Sequence, residues 1–376
     1  MAEVKPFRAV RYDERRTGPI GRLVAPPYDV ITADERVRYL QRCTYNVARL
    51  IVPESPEEAG QLYRQWRADG VLVDEAEPAL WWLREEYEGP DGARHSREGF
   101  FGTVRLEPYE RRIVRPHERT YEAAKRSQLE LLRAVRANLS PIMLLYDDPA
   151  QGPRQALASG ASGEPVFEAV DGSSVTRLWR ITDPEALATT EAALADSPLV
   201  IADGHHRYET ALAFASEDGS PRARRMMAVF ANTVGEGLII FPTHRVVQQL
   251  PELNGRFLVT PVAGAQEGLA RLAELDHDHP AFLLYRQDGA AIVEAPGDRT
   301  LDTVVLEQLG IESPRFTPRA DEAVALVDSG EAEAAFLLRP PTIEQVRAMA
   351  EAGQTMPQKS TYFYPKLLSG LLFHEL

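Results

Sequence analysis

The sequence predicts an α/β protein, and three observations carry that expectation. Strand-like runs alternate with stretches of helical spacing along the whole chain. Some strand-like runs are almost wholly apolar, above all "IMLLY" (142–146), the pattern of a strand buried on both faces, and "MMAVFAN" (226–232) up to its final Asn. A hydrophobic fraction of 44% with a mean hydropathy of −0.30 is enough for real cores in 376 residues, a length that fits two domains or one composite domain. The net charge of −14 lacks the basic footprint of a nucleic-acid binder, so no nucleic-acid partner is expected. Cys43 is the one cysteine, which rules out an internal disulfide, fits a reducing cytoplasm and reads as a buried structural thiol. The start "MAEVKPFRAVRYDERR" has no apolar signal core, and no run approaches the roughly 18 residues a membrane span needs. A cytoplasmic protein with no membrane partner is expected, and nothing in the sequence marks an oligomeric state.

The elements follow in order. In "RLVAPPYDVI", Pro26 and Pro27 punctuate a short extended segment. "TADERVRYLQR" predicts a helix with Thr32 as N-cap and acids in its first turn. "EEAGQLYRQWRADG" predicts a helix ending at Gly70. "ALWWLREEYE" and "EGFFGTVRLE" predict strands joined by the turn "GPDGARHS". Leu129, Leu132 and Val135 recur at helical spacing, so a helix capped by Thr120 runs to about Asn138, where Pro141 blocks it. Residues 149–165 are rich in Gly, Ala, Ser and Pro and predict a loose surface excursion. "TRLWRIT" predicts an edge strand, "DPEALATTEAALA" a helix, and "MMAVFAN" and "LIIFPTHRVV" two further strands. Near the end, Thr342 and Gln345 have capping-box spacing and Gly353 marks the stop. There is no internal repeat and no heptad pattern.

The most chemistry per residue lies in "PLVIADGHHRYETALAFA" (198–215), a buried strand, a glycine turn and then a helix. Gly204 lets the backbone turn sharply and approach a ligand. A helix N-terminus presents unpaired N–H groups and partial positive charge, and His205, His206 and Arg207 add side-chain donors there. Charged cations at that end cost about 0.3–1 kcal/mol each, a penalty that a bound anion reverses. The simplest such anion is a phosphate. A metal is disfavoured, because adjacent histidines on a helix point about 100° apart. No HExxH and no paired CxxC occurs. "DHDH" (276–279) reads as a solvated loop, so no metal-ligand set is expected.

"ADGHHRYETAL" resembles the Gly-x-x-Arg motif of the ParB/sulfiredoxin superfamily, in which that turn holds nucleotide phosphates. The spelling Asp-Gly-His-His-Arg is similar to the free serine kinases of that superfamily. "HERT", the 121–138 helix and "LSPIMLLYDD" match the order of elements upstream, over about Gly99 to Ala215. The whole chain is identified as a member of domain-of-unknown-function family 1015 on "APPYDVI", "PHERT", "SPIMLLYDD", "ADGHHRYETAL", "PTHRVV" and "MPQKSTYFYPKLLSGL". The resemblance implies a ParB/sulfiredoxin-like core over 99–245 with an insertion near 149–195. An N-terminal α/β region (1–98) and a C-terminal α/β region (246–376) extend it. It also implies that Glu118 is the acid preceding the helix, a candidate general base toward a substrate hydroxyl. Where the family carries Asp-Arg within the helix, this chain has Ser127-Gln128, so no role is carried to those positions.

Other polar constellations are weighed beside their structural readings. "RPHERT" brings His117 and Glu118 to a helix start, as chemistry or as ordinary capping. "PTHRVV" places His244 and Arg245 after a buried strand, at a cleft or in a surface turn. "MPQKSTYFYPK" combines Lys359, Ser360 and Thr361, which fit phosphate without the glycine run of a Walker motif, while Tyr362 and Tyr364 have strand spacing. Asp29 sits on the Pro-Pro loop, lining a pocket or only making a turn. The expectation is a nucleotide-dependent phosphotransferase acting on a small hydroxylated, serine-like metabolite, with ATP or another nucleoside phosphate and Mg2+. Glu118, Asp203 and His205 take the catalytic roles; Gly204, His206, Arg207, His117, Lys359 and Ser360 take the phosphates, all in one cleft. A ParB-like nucleotide-binding regulator without turnover is the second expectation, and a nuclease the third.

Overall fold

The computed structural model describes residues 1–89, 92–253, 255–298, 300–311 and 314–376. The chain is a mixed α/β protein that divides into two compact units, each assembled from separate stretches. The first comprises Met1–Pro116, Thr120–Leu238 and Pro365–Leu376; the second comprises His117–Arg119 and Ile239–Tyr364.

The first unit runs β1 (Val4–Lys5), α1 (Ala33–Arg42), α2 (Pro56–Ala68), β2 (Leu80–Glu88), β3 (Arg94–Arg105), β4 (Val114–Arg115), α3 (Glu122–Val135), β5 (Ile142–Tyr146), α4 (Gly152–Gly160), β6 (Phe167–Asp171), β7 (Ser174–Ile181), α5 (Pro184–Ala195), β8 (Leu199–Asp203), α6 (His205–Asp218) and β9 (Arg225–Asn232). Its large sheet has the order β4-β8-β5-β9-β3-β2-β7-β6, with β1 also paired to β3. β5 and β9 run parallel, Ile142 beside Ala228 and Tyr146 beside Asn232, and β4 and β8 are parallel too; the other neighbours are antiparallel. All five residues of β5 are buried. Strand alternation sends Ile142, Leu144 and Tyr146 into a core with Leu199, Ile201, Tyr208 and Phe230, each such side chain worth about 1.5–3 kcal/mol when fully buried. A one-residue slip would turn that set out of the core, so the pattern fixes the register. α3 packs between α2 and α6.

The second unit runs β10 (Ile239–Phe241), β11 (His244–Val247), β12 (Leu258–Val262), α7 (Ala265–Glu274), β13 (Ala281–Arg286), β14 (Gly289–Glu294), α8 (Asp302–Gln308), β15 (Arg315–Thr317), α9 (Ala320–Asp328), β16 (Ala334–Leu338), α10 (Ile343–Ala352) and β17 (Tyr362–Tyr364). Its sheet is antiparallel throughout, in the order β12-β14-β13-β16-β11-β15. Leu283, Ile292 and Leu337 pack with Leu272 of α7 and Leu326 of α9, while Phe282, Val293 and Phe336 pack with Val305 and Leu306 of α8. Helices therefore cover both faces, as two apolar sheet faces require.

Several elements differ from the sequence expectation, each for a physical reason. Residues 149–165 contain α4, whose Leu157 is buried in the core. "TRLWRIT" belongs to β7, an interior strand between β2 and β6. α3 stops at Val135, because Arg136 adopts a left-handed conformation and Ala137–Asn138 pairs as a short strand with His374–Glu375. The N-cap of α3 is Tyr121; the Thr120 hydroxyl donates to Glu209 Oε2 at 2.8 Å. "LIIFPTHRVV" splits at Pro242 into β10 and β11. Cys43 is half-buried, with Sγ 3.4 Å from the Tyr45 N–H. Of the "GPDGARHS" turn, Pro90 and Asp91 lie outside the described residues.

Candidate functional site

β8 buries Leu199 to Ala202 and ends on Asp203, whose side chain is mostly buried. Gly204 then turns the chain with φ +95° and ψ 29°, a left-handed conformation that costs glycine little and other residues much. Space demands glycine as well. A Cβ there would lie 2.6 Å from Ile142 Cγ2 and 3.1 Å from the Arg207 guanidinium carbon. α6 thus starts directly behind the strand end, with no side-chain cap and no acid in its first turn.

Arg207 folds back over that turn. Its Nη2 donates to Asp203 Oδ2 at 2.5 Å, its Nη1 donates to the Pro141 carbonyl, and Lys366 Nζ donates to Asp203 Oδ1. One carboxylate is therefore shared by two cations, and all three side chains are about nine-tenths buried. Arg207 lines a small cleft of about 50 Å³, open to solvent, in which Tyr28, Gln128, Ser140 and Thr210 bring polar groups to mainly apolar walls. Burial and the Asp29 carboxylate push the Tyr28 phenol up to about 12 against the pull of Arg207, so it remains an O–H donor. His206 stacks on Tyr121 and accepts its N–H at Nε2 over 2.9 Å, which places the neutral ring's proton on Nδ1. His205 is buried, and Asp29 is exposed on the turn Tyr28–Val30.

The other sequence candidates lie in the second unit. His117 is fully buried, with Nε2 2.9 Å from Thr361 Oγ1 and its carbonyl accepting the Met356 N–H at 2.7 Å. Glu118 is half-buried and forms a parallel bridge with Met356. Ser360 is buried and donates to the Pro357 carbonyl at 2.5 Å, and Lys359 is half-buried in a left-handed conformation. Buried Arg245 donates to the carbonyls of Thr243 and Gln358, with its guanidinium 4.6 Å from the Phe316 ring centre. His244 accepts the Leu338 N–H at Nδ1 over 3.0 Å; burial and neighbouring Arg245 push its pKa down to about 4, so it is neutral at physiological pH. His117, Glu118, Arg245 and Ser360 thus converge on the segment 356–361. His244 and Arg245 begin strand β11.

Sequence reasoning passed over Lys366 and Tyr28. At the C-terminus Lys359 stands out because two hydroxyls follow it. Lys366 is 163 residues from Asp203, and no local spacing announces their pairing. Tyr28 is announced only by its place after Pro26-Pro27. At the turn both Asp203 oxygens hold cations, and among the described residues no group of three or more His, Cys, Asp or Glu could hold a metal. In the loop holding "DHDH", His279 Nε2 lies 3.0 Å from Glu294, and Arg339 donates to the carbonyls of Asp276 and His279 at 2.6 and 2.8 Å. No described helix is long and apolar enough to cross a membrane.

The model of a protein family of unknown function, DUF1015, matches residues 4–311. Among curated proteins none matches the chain. Solved structures similar to it include a free serine kinase in complex with AMP, at 14% identity and a TM-score of 0.41, covering 71% of this chain and 88% of that one. A conserved hypothetical protein from Pyrococcus furiosus is 15% identical with a TM-score of 0.39, covering 71% and 92%. C-terminally truncated SbnI from Staphylococcus aureus is 12% identical with a TM-score of 0.38, covering 72% and 85%. Likenesses this distant carry no weight for activity, and the α/β description rests on the strand order itself.

Proposed function

The chain belongs to the DUF1015 family of proteins of unknown function, and from that premise we propose that it is a nucleotide-dependent phosphotransferase acting on a small hydroxylated metabolite. The observation that carries this reading is the turn at Gly204, where a buried strand ends on Asp203 and a helix starts at once beside Arg207 and Lys366. Such a turn brings backbone N–H groups, the positive end of a helix and a planar guanidinium to one place, which together suit a phosphate. His206 presents a further donor. Asp203 holds Arg207 and Lys366 in place. By the motif's resemblance to the free serine kinases, Glu118 is the proposed base that takes the proton of the substrate hydroxyl; with a nucleoside triphosphate as donor, the freed oxygen attacks the terminal phosphorus and the nucleoside diphosphate leaves. His205 stands at the same turn, at the first position of α6. A serine-like alcohol is the first acceptor to try.

One observation favours the second reading, a nucleotide-binding regulator without turnover. Asp203 gives both oxygens to cations, so the turn itself is built to bind and not to accept a proton. Calorimetry with ATP, ADP and AMP, beside an assay of phosphoryl transfer to serine and related alcohols, separates the two. Nucleotide binding with transfer supports the kinase, and binding without any acceptor supports the regulator. Nucleotides that bind the wild type no better than the Arg207→Ala variant would overturn the phosphate site itself.

A further inference from the structure

The first unit holds a second, larger cavity at the other end of the strands that carry the Gly204 turn. β5 and β9 are parallel neighbours, and their carboxyl ends, Tyr146 and Asn232, both line a solvent-open cavity of about 320 Å³. Crevices outside the carboxyl ends of parallel strands are where open α/β sheets take ligands, and the volume is that of a small-molecule site. Two side chains on its wall are almost wholly buried and lack partners. The indole Nε1–H of Trp82, 2% exposed, makes no hydrogen bond. The hydroxyl of Tyr146, 3% exposed, makes none among the described residues. Burial also raises the Tyr146 phenol, which keeps it a donor. The Tyr146 hydroxyl is therefore available to a ligand in the cavity, while the indole offers it an apolar face.

The charges around them point the same way. Glu98 is saturated: Arg84 holds its Oε1 at 2.8 and 3.0 Å, and Arg154 Nε holds its Oε2 at 2.6 Å. Arg154 thereby has its stem fixed while its two terminal nitrogens make no hydrogen bond among the described residues. It stands in the first turn of α4, which has no acid in that turn and begins after Gln151, a cavity-lining residue held at φ +54°. The wall is therefore rich in donors, while the exposed carboxylate of Glu236 disfavours a ligand of high negative charge.

We propose that this cavity binds a small organic monocarboxylate, whose oxygens pair with the terminal nitrogens of Arg154 and the Tyr146 hydroxyl while its apolar body lies against Trp82. This site is independent of the phosphate reading and is tested without nucleotide. Propionate, lactate and benzoate are titrated into the full chain by calorimetry and tryptophan fluorescence, with propionamide as the uncharged counterpart. At least one carboxylate should bind, and propionamide at least about tenfold more weakly. Arg154→Ala should weaken carboxylate binding about ten- to a hundredfold, Arg154→Lys less, and Tyr146→Phe about three- to tenfold. Arg154 is half exposed and Arg84 still holds Glu98 without it, so the fold survives its loss; melting curves of the three variants check this. The proposal is overturned if none of the three acids binds the wild type below about 10 mM. It is equally overturned if folded Arg154→Ala and Tyr146→Phe proteins bind them as the wild type does.

Discussion

α1 and α6 start in opposite ways. At α1, Thr32 accepts the Glu35 N–H and the Glu35 side chain accepts the Thr32 N–H, with Asp34 adding negative charge to the first turn. α10 repeats the arrangement with Thr342, Gln345 and Glu344. At α6 the capping position is a glycine in a left-handed conformation, where N-caps are ordinarily extended, and His-His-Arg replaces the acids. The first kind of start stabilises its own helix. The second gives up local stability and keeps its polar groups for other work. Proteins break local rules of this kind mainly at functional sites, where the surrounding fold supplies the stability.

The largest expected effect comes from making the α6 start ordinary. Gly204→Ala places a methyl group 2.6 Å from buried Ile142 and forces alanine into a left-handed backbone. The two costs together come to about 2–5 kcal/mol of stability. Urea unfolding of both proteins measures it, and a loss below about 1 kcal/mol would show that the turn relaxes easily and is not committed to its shape.

Next come the cations around Asp203. Arg207→Ala should weaken nucleotide binding about ten- to a hundredfold, and Arg207→Lys should recover only part of that, because an ammonium keeps the charge and loses the two-pronged geometry. Equal affinities for the two variants would mean that Arg207 serves the fold, through Asp203 and Pro141, and not the ligand. Lys366→Met should have a smaller effect, about three- to tenfold, since it removes one of two cations from Asp203 and leaves the Arg207 pair intact. Glu118→Gln sharpens the contrast from the side of chemistry: it should lower turnover and leave calorimetric nucleotide affinity within about twofold. A matching loss of affinity would remove Glu118 from the role of base.

Both kinds of helix start were legible in the sequence because both are local. Four apolar residues, Asp-Gly and a helical pattern define the α6 start within a dozen positions, and the Thr32 and Thr342 boxes span four positions each. What escaped was set by distant partners. Thr120 has the composition of a cap, yet its hydroxyl is taken by Glu209, 89 positions away. Residues 176–182 look like an edge strand until β6 is seen to pair outside them. Residues 149–165 have loop composition, yet Leu157 enters the core and Pro153, Ala156 and Ala158 pack beside it, which gives α4 a face to bury. Lys366 reaches the site only because the chain's last residues return to the first unit. In each case the deciding contact is long-range, and neither composition nor periodicity encodes it.

The smallest expected effect belongs to the ordinary starts. Thr32→Ala removes the acceptor of the Glu35 N–H and frees the Glu35 carboxylate from its reciprocal bond, in an exposed position where water replaces both. Such losses cost about 0.5–2 kcal/mol. Thr342→Ala makes the same change at α10 in the second unit, where the surroundings are half-buried and the cost should lie toward the upper end of that range. Neither change touches the Gly204 turn, so nucleotide affinity should stay within about twofold of the wild type once the protein is folded. Chemical denaturation gives the first quantity and calorimetry the second. If Thr32→Ala cut nucleotide affinity as deeply as Arg207→Ala, the two helix starts would not be separate devices, one for folding and one for binding, and the contrast between them would fail.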